Sequence, residues 1–440
     1  MTRRAALAAL LALALAAAAS PARAARTPID HFIVVMQENH SFDNYFGTYP
    51  GGRGIPRGTC MPVVPGRPGA GCVRPFHLGS RAAPELSDTV AAQRSEYAGG
   101  RMDGFVRAAS AGRQGIQSAV MGYYDDRELP FYWNLAREYV LFDHFFASAP
   151  GGSVPNHMFW VAGAAGPPGG AVPRRGLDLP TIFDRLDARG ISWKFYVQDY
   201  DRARRFTRAG GADRSIQSVR VPLLNTPRFV ETPGRLRHIV DLDDYYTDLE
   251  RGKLPQVAYI APAGASEHPP ARLRSGQRLV RSLLTTLLRS PDWRSSAFLL
   301  TYDDWGGWFD HVRPPRVGRS TYGFRVPAVL VSPYAKRGHV ASTRLETASI
   351  PRFIEQNWGL RPLTARDARA GSFGDAFDFS RPPRRPSIVA AGPTPHRPEA
   401  RRGVIYVGYG GGLALAAALI GWAVLRRGRR PAALRGGGSP

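Results

Sequence analysis

IVVMQENHSFDNYFG, residues 33–47, opens as a strand and ends as a site. Residues 32–36 are an uninterrupted apolar run of strand length, β-branched in the middle, as a strand buried on both faces should be. The run stops at Gln37, and Glu38, Asn39, His40 and Ser41 follow at once, then Asp43 and Asn44. A buried strand ending in a carboxylate and an amide sets hard oxygen donors on the rim of a sheet, where open α/β sheets bind ligands. Capping of a following helix accounts for Asn39 or Ser41. It does not account for Glu38 beside Asn39.

Outward from this stretch, apolar strand-like runs alternate with helical patterns and show no repeat, which argues for a layered α/β sheet. Strands are predicted at residues 139–146, 191–197, 256–260, 297–302 and 326–331, and helices at 130–138, 179–189, 276–289 and 350–358. The 276–289 helix is clearly amphipathic, with Leu279, Val280, Leu283, Leu284, Leu287 and Leu288 on one side. Residues 51–126 and 202–241 read as long Gly/Arg/Pro-rich insertions, the usual walls and lids of active sites. The predicted domain covers residues 25–380, and the Pro/Arg-rich stretch 381–403 reads as an extended stalk.

The chain ends suggest export. Residues 1–24 have Arg3 and Arg4, an Ala/Leu run of about 15 residues and the small-residue end Ala22-Arg23-Ala24, the pattern of a cleavable signal. Residues 404–425 are apolar, free of charge and long enough to span a bilayer, and Arg426, Arg427, Arg429 and Arg430 follow. The positive-inside rule then leaves residues 426–440 as a cytoplasmic tail and the domain outside, a single-pass type I arrangement. Cys60 and Cys72, the chain's two cysteines, sit close together in a Pro/Gly-rich loop and are expected to form a disulfide there. The net charge of +24 favours anionic partners such as phospholipid headgroups. An Arg-, Ala-, Gly- and Pro-rich coding bias gives the same composition, so charge alone selects no partner, and no specific nucleic-acid recognition is read from it.

Four polar clusters fall at the ends of predicted strands. Glu38-Asn39 is the first. The second is the segment 148–157, where two glycines precede Ser153 and allow a tight turn presenting its hydroxyl, Pro155 stiffens the approach and Asn156 offers an amide. In the third, His268 lies between Glu267 and two prolines, held as suits a proton donor or anion binder. The fourth follows the 297–302 strand: Asp303-Asp304, then Gly306-Gly307, which let backbone approach a ligand, then Asp310-His311 as a second polar pair for substrate. Adjacent carboxylates at a buried strand end stay ionised only with a compensating cation. Glu38, Asn39, Asp303 and Asp304 therefore suit a divalent metal such as Mg²⁺, Ca²⁺ or Mn²⁺, with Zn²⁺ not excluded. A metal beside Ser153 would activate its hydroxyl for attack on phosphorus, and His268 would protonate the leaving alcohol.

QENHSFDNYFG, GGSVPNHMFW, SEHPPARLRSGQ and TYDDWGGWFDHVRPP, in this order, resemble the bacterial phosphoesterase family of non-haemolytic phospholipases C and related acid phosphatases. The resemblance runs from about Ile29 to Phe379. It implies an alkaline-phosphatase-like α/β fold, a mixed sheet between helical layers, here followed by one C-terminal transmembrane helix. It also implies hydrolysis of phosphate esters, with Glu38, Asn39, Asp303 and Asp304 matching the metal ligands, Ser153 the nucleophile and metal neighbour, and His268 the histidine near the phosphate. There are departures: Gly152 stands for the motif's proline, Asp304 for its glutamate, and Asp88 and Thr347 for two histidines of the relatives. The expected activity is that of an exported, membrane-anchored phosphoesterase acting on phospholipids. The alternatives are a phosphatase of phosphomonoesters and a non-catalytic surface receptor on the same fold.

Overall fold

The predicted strand spans His31–Gln37 (β1) and lies inside an eight-stranded sheet. Its partners, in chain order, are Val140–Phe142 (β2), Trp193–Val197 (β3), Ile239–Asp241 (β4), Val257–Ala261 (β5), Ser296–Tyr302 (β6), Ala328–Val331 (β7) and His339–Ala341 (β8). They run in the order β8-β2-β7-β6-β1-β5-β3-β4, and β7 alone is antiparallel to its neighbours. The sheet is thus mixed, as the resemblance implies. The computed structural model describes residues 25–393 apart from 80–82, 111–116, 168–169, 271 and 319. Residues 1–24, expected to be a signal, the apolar stretch 404–425 and the basic residues 426–440 lie outside the described residues. Among the described residues, no helix is long and apolar enough to cross a membrane.

Continuous apolarity in β1 has its cause in burial on both faces: Phe32 to Met36 are at most 2% exposed. On one face Phe32 meets Phe353, 4.6 Å between ring centroids, on the helix Ser349–Trp358. Tyr259, beside Val34 in register, stacks at 4.6 Å on Trp160 of the helix Ser153–Ala162. The amphipathic helix spans Leu273–Arg289 and buries Val280, Leu283, Leu284, Leu287 and Leu288, the side its periodicity assigns. The helix Pro130–Glu138 has the predicted bounds.

Three expectations need correction. Residues 139–146 split into β2 and a short strand Phe145–Phe146, because Asp143 turns aside to accept the Arg53 N–H (2.9 Å) and pair with His144 (2.7 Å). The insertions are not wholly irregular: one holds the helix Val90–Tyr97, the other the edge strand β4 and the short helix Ile216–Arg220. The stalk's first residues are not free of the domain, since Trp293 donates to the Arg384 carbonyl (3.1 Å) and Asn134 to that of Gly392 (2.9 Å).

Candidate active site

β6, β1 and β5 are adjacent and parallel, so their carboxyl ends leave the sheet side by side. Gln37 pairs with Tyr302 in register, which places Glu38-Asn39 next to Asp303-Asp304. On the other flank Glu38 N–H donates to the Ser266 carbonyl (3.0 Å), bringing in the loop that carries Glu267 and His268. Three of the four predicted clusters thus meet on one rim because three strands share a direction.

The backbone makes the junction tight. Asn39 adopts a positive φ of 63°, and its N–H donates to Asp303 Oδ1 (3.2 Å). Gly306, also at positive φ, packs so closely that a Cβ there would lie 2.3 Å from the Asn39 carbonyl oxygen. That approach needs glycine. Glu38, Asn39, Asp303 and Asp304 are each no more than 3% exposed.

Ser153 is the first residue of its helix, preceded by Gly152 at a φ of 81°. The loop before it is pinned on one side by Gly152 N–H donating to the Asp88 carbonyl (2.9 Å). The Ser153 side chain reaches the Asp303 carboxylate and favours its ionised form. Burial, reinforced by Glu38, still pushes Asp303 up to about 6, and burial with Asp303 and Asp88 nearby pushes Asp304 higher. Asp88 is itself raised by burial, and its Oδ2 accepts from Asn39 Nδ2 (3.1 Å), which turns the amide oxygen the other way. This is the position of one missing family histidine, and it adds negative charge to the rim. Thr347, the other such position, is buried and accepts from the Ser148 N–H (3.3 Å).

Asn39 Oδ1, Asp303 Oδ2 and Asp304 Oδ2 are buried and have no hydrogen-bond partner among the described residues. Leaving one such atom unpaired costs about 1–3 kcal/mol. Three hard oxygens left open at one strand rim fit a divalent cation. Glu38, Asp303 and Asp304 do not close to the 4.8 Å mutual spacing found in two other clusters, Asp43–Asp310–His311 and His77–Asp125–Glu128. Arg220 occupies one side of this rim: its Nε and Nη2 (3.0 Å) fork the Glu38 carboxylate while Nη2 also donates to Ser266 Oγ (3.1 Å). Neither of the tighter clusters is short of counter-charge: Arg325 forks onto Asp43 (2.9 Å) and Asp310 (2.9 Å), and Arg127 clamps Asp125 (2.6 Å).

Three predicted substrate contacts are spent elsewhere. Asn156 accepts from Ala149 N–H (2.8 Å) and donates to the Gly152 carbonyl (3.1 Å), so its amide shapes the serine loop. Asp310 is fully buried and accepts from Arg325 Nε (2.9 Å) and from Val312 N–H (2.9 Å). His311 is held at 2.7 Å by Asp43. Asp310 and His311 thus belong to a cluster around Arg325 and Asp43.

His268 is half-buried, its Nδ1 lies 2.8 Å from the Pro269 carbonyl, and its charge is felt at Asp88. Its neighbour Glu267 holds a positive φ of 66° and accepts hydrogen bonds from Tyr45 (2.8 Å), Tyr132 (2.6 Å) and Tyr302 (2.6 Å). Burial raises Glu267 to about 7 despite those donors. Sequence reading missed two site residues, Arg220 and His157. Arg220 sits in an insertion without a motif. His157, whose Nδ1 lies 2.9 Å from the Ser153 carbonyl and 3.8 Å from Asp303 Oδ2, was visible as the residue four beyond the serine. The disulfide Cys60–Cys72 is formed, 5.5 Å between Cα atoms.

The chain is 28% identical over 426 residues to phospholipase C B of Mycobacterium tuberculosis (strain ATCC 25618 / H37Rv), covering 83% of this chain and 80% of that one. It is 27% identical over 411 residues to non-specific phospholipase C1 of Arabidopsis thaliana, covering 81% and 72%. Among solved structures, a protein of the alkaline phosphatase superfamily from Vibrio parahaemolyticus aligns over 82% of this chain and 73% of that one, at 12% identity and a TM-score of 0.37. The model of the phosphoesterase family matches residues 29–361, so the chain belongs to that family, a hydrolase acting on phosphoester bonds.

Proposed function

We propose that this phosphoesterase cleaves phosphodiesters of phospholipids, with Ser153 as the nucleophile. One observation carries the reading: an accessible serine at a helix N-terminus reaches the Asp303 carboxylate, and Asp303 Oδ2 and Asp304 Oδ2 are buried and without a hydrogen-bond partner among the described residues. Glu38, Asn39, Asp303 and Asp304 would hold a divalent cation, which when bound lowers the hydroxyl's pKa and offsets charge growing on the phosphoryl oxygens. The helix N-terminus at Ser153 adds donors of the right sign for a phosphoryl group. With Nδ1 of His268 engaged by the Pro269 carbonyl, Nε2 is the nitrogen that passes a proton to the leaving oxygen. Asp88 favours diesters over monoesters, since a dianionic monoester would meet one more carboxylate than the relatives present.

The relatives named above are phospholipases C, and the basic chain with its apolar stretch 404–425 fits work beside a membrane, outside the cell. The Cys60–Cys72 disulfide supports an oxidising compartment. The test is turnover of bis(p-nitrophenyl) phosphate and p-nitrophenyl phosphate by the full chain, with and without chelator. Ser153→Ala is expected to lose at least about a thousandfold in kcat, and chelator to abolish turnover. Full activity in the variant overturns the nucleophile. Faster monoester than diester turnover moves the enzyme to the phosphatases.

A further inference from the structure

Beside the serine helix lies a second concavity of about 700 Å³ that the reaction above leaves unused. Its lining includes Phe159 on that helix, Tyr322, Glu346 and four arginines, Arg316, Arg344, Arg366 and Arg369. Arg366 is already committed. Its Nε and Nη2 grip Glu346 at 2.8 and 2.6 Å, and its guanidinium lies 4.2 Å from the Tyr322 ring and 5.5 Å from the Phe159 ring. Glu346 is buried, also accepts from Ser148 Oγ (2.8 Å), and among the described residues pairs with Arg366 alone. Arg316, Arg344 and Arg369 remain, exposed on the rim and without an ion pair among the described residues.

This wall is continuous with the nucleophile's own support. Arg366 Nη2 donates to the Ser148 carbonyl (3.3 Å), at the head of the loop that ends in Ser153. Phe159 follows Ser153 on the same helix at about 9 Å of axial rise, so the cavity and the nucleophile share one element. The charge sign excludes the commonest zwitterionic headgroup. A quaternary ammonium is bound by open aromatic faces, and here the Tyr322 and Phe159 rings are both covered by a guanidinium.

Resting on the phosphodiesterase reading, we propose that this arginine-walled cavity receives an anionic group of the substrate. Phosphodiesters that carry a second phosphate or a carboxylate are then preferred to those carrying a quaternary ammonium. The experiment compares kcat/KM of the full chain on dihexanoyl phosphatidylinositol 4-phosphate, phosphatidylinositol and phosphatidylcholine. All are presented as monomers, so that attraction of a basic protein to a charged surface plays no part. The expected order is second-phosphate, neutral, choline, with about tenfold between the first and last. The double variant Arg344→Gln/Arg369→Gln should lose that preference through KM, with kcat changed less than about twofold. The variant Arg274→Gln/Arg281→Gln, removing equal charge from the amphipathic helix, should retain it. Equal turnover of the three lipids by the wild type, or a preference that survives Arg344→Gln/Arg369→Gln, overturns the cavity's role and leaves the phosphodiesterase reading intact. Turnover of none overturns both.

Discussion

At Glu267 the chain accepts a left-handed backbone and a buried carboxylate in one residue, and three phenols hold both. The His268 ring is aimed from that anchor. Because burial raises Glu267 from 4.5 to about 7, the folded state binds its proton more tightly than the unfolded chain does. The associated stability is complete below pH 4.5 and is lost as pH rises through about 7, on the order of 3 kcal/mol. Glu267→Gln should therefore flatten the urea midpoint between pH 5 and 8 relative to the wild type; parallel profiles would show that the group does not titrate there. At the same scale, Gly306→Ala should weaken metal binding at least about tenfold by calorimetry, because its Cβ meets the Asn39 carbonyl at 2.3 Å. Glu38, Asn39, Asp303 and Asp304 stand out in the sequence because polarity switches abruptly at the ends of apolar runs, and Ser153 because two glycines precede it. Arg220 does not. An arginine among many carries no local mark of the carboxylate it will meet 182 positions away.

The helix Leu273–Arg289 shows how an element's position outranks its propensity. Replacing Gly276 by alanine gains about 1 kcal/mol of helix propensity. The added Cβ, however, would fall 2.1 Å from Glu267 Oε1 and 2.2 Å from its Cγ, in a carboxylate pocket that cannot give way. Gly276→Ala is expected to destabilise by roughly 2 kcal/mol net, read as a lowered denaturant midpoint with unchanged slope. A raised midpoint would mean that the Glu267 side chain moves aside. A helix with a strong period, such as this one, and a strand with a long unbroken apolar run, such as β1, are readable to within a few residues. The three-residue strands β4 and β8 are not, since three residues show no period and only the sheet's edges pair them. Nor does sequence tell that β7 runs antiparallel: its apolar run, Ala328–Val331, looks like its parallel neighbours.

Over the whole molecule, the site joins residues from position 38 to position 304, so its chemistry depends on the complete sheet. Loading the rim with a divalent cation should raise the melting temperature, and chelation should lower it, by the mass-action term that any ligand of the native state adds. A melting temperature indifferent to chelator would remove the cation from the rim. The Cys60–Cys72 bridge closes a short loop of separation 12, which limits its contribution to about 3 kcal/mol. Arg220 gives this assembly one more property. The rim carries a tethered guanidinium seated on its glutamate, so a metal ion that took Glu38 as a ligand would have to share that carboxylate with the arginine or displace it. Occupancy of the rim would then answer to a charge the chain brings with it as well as to the concentration of the free ion.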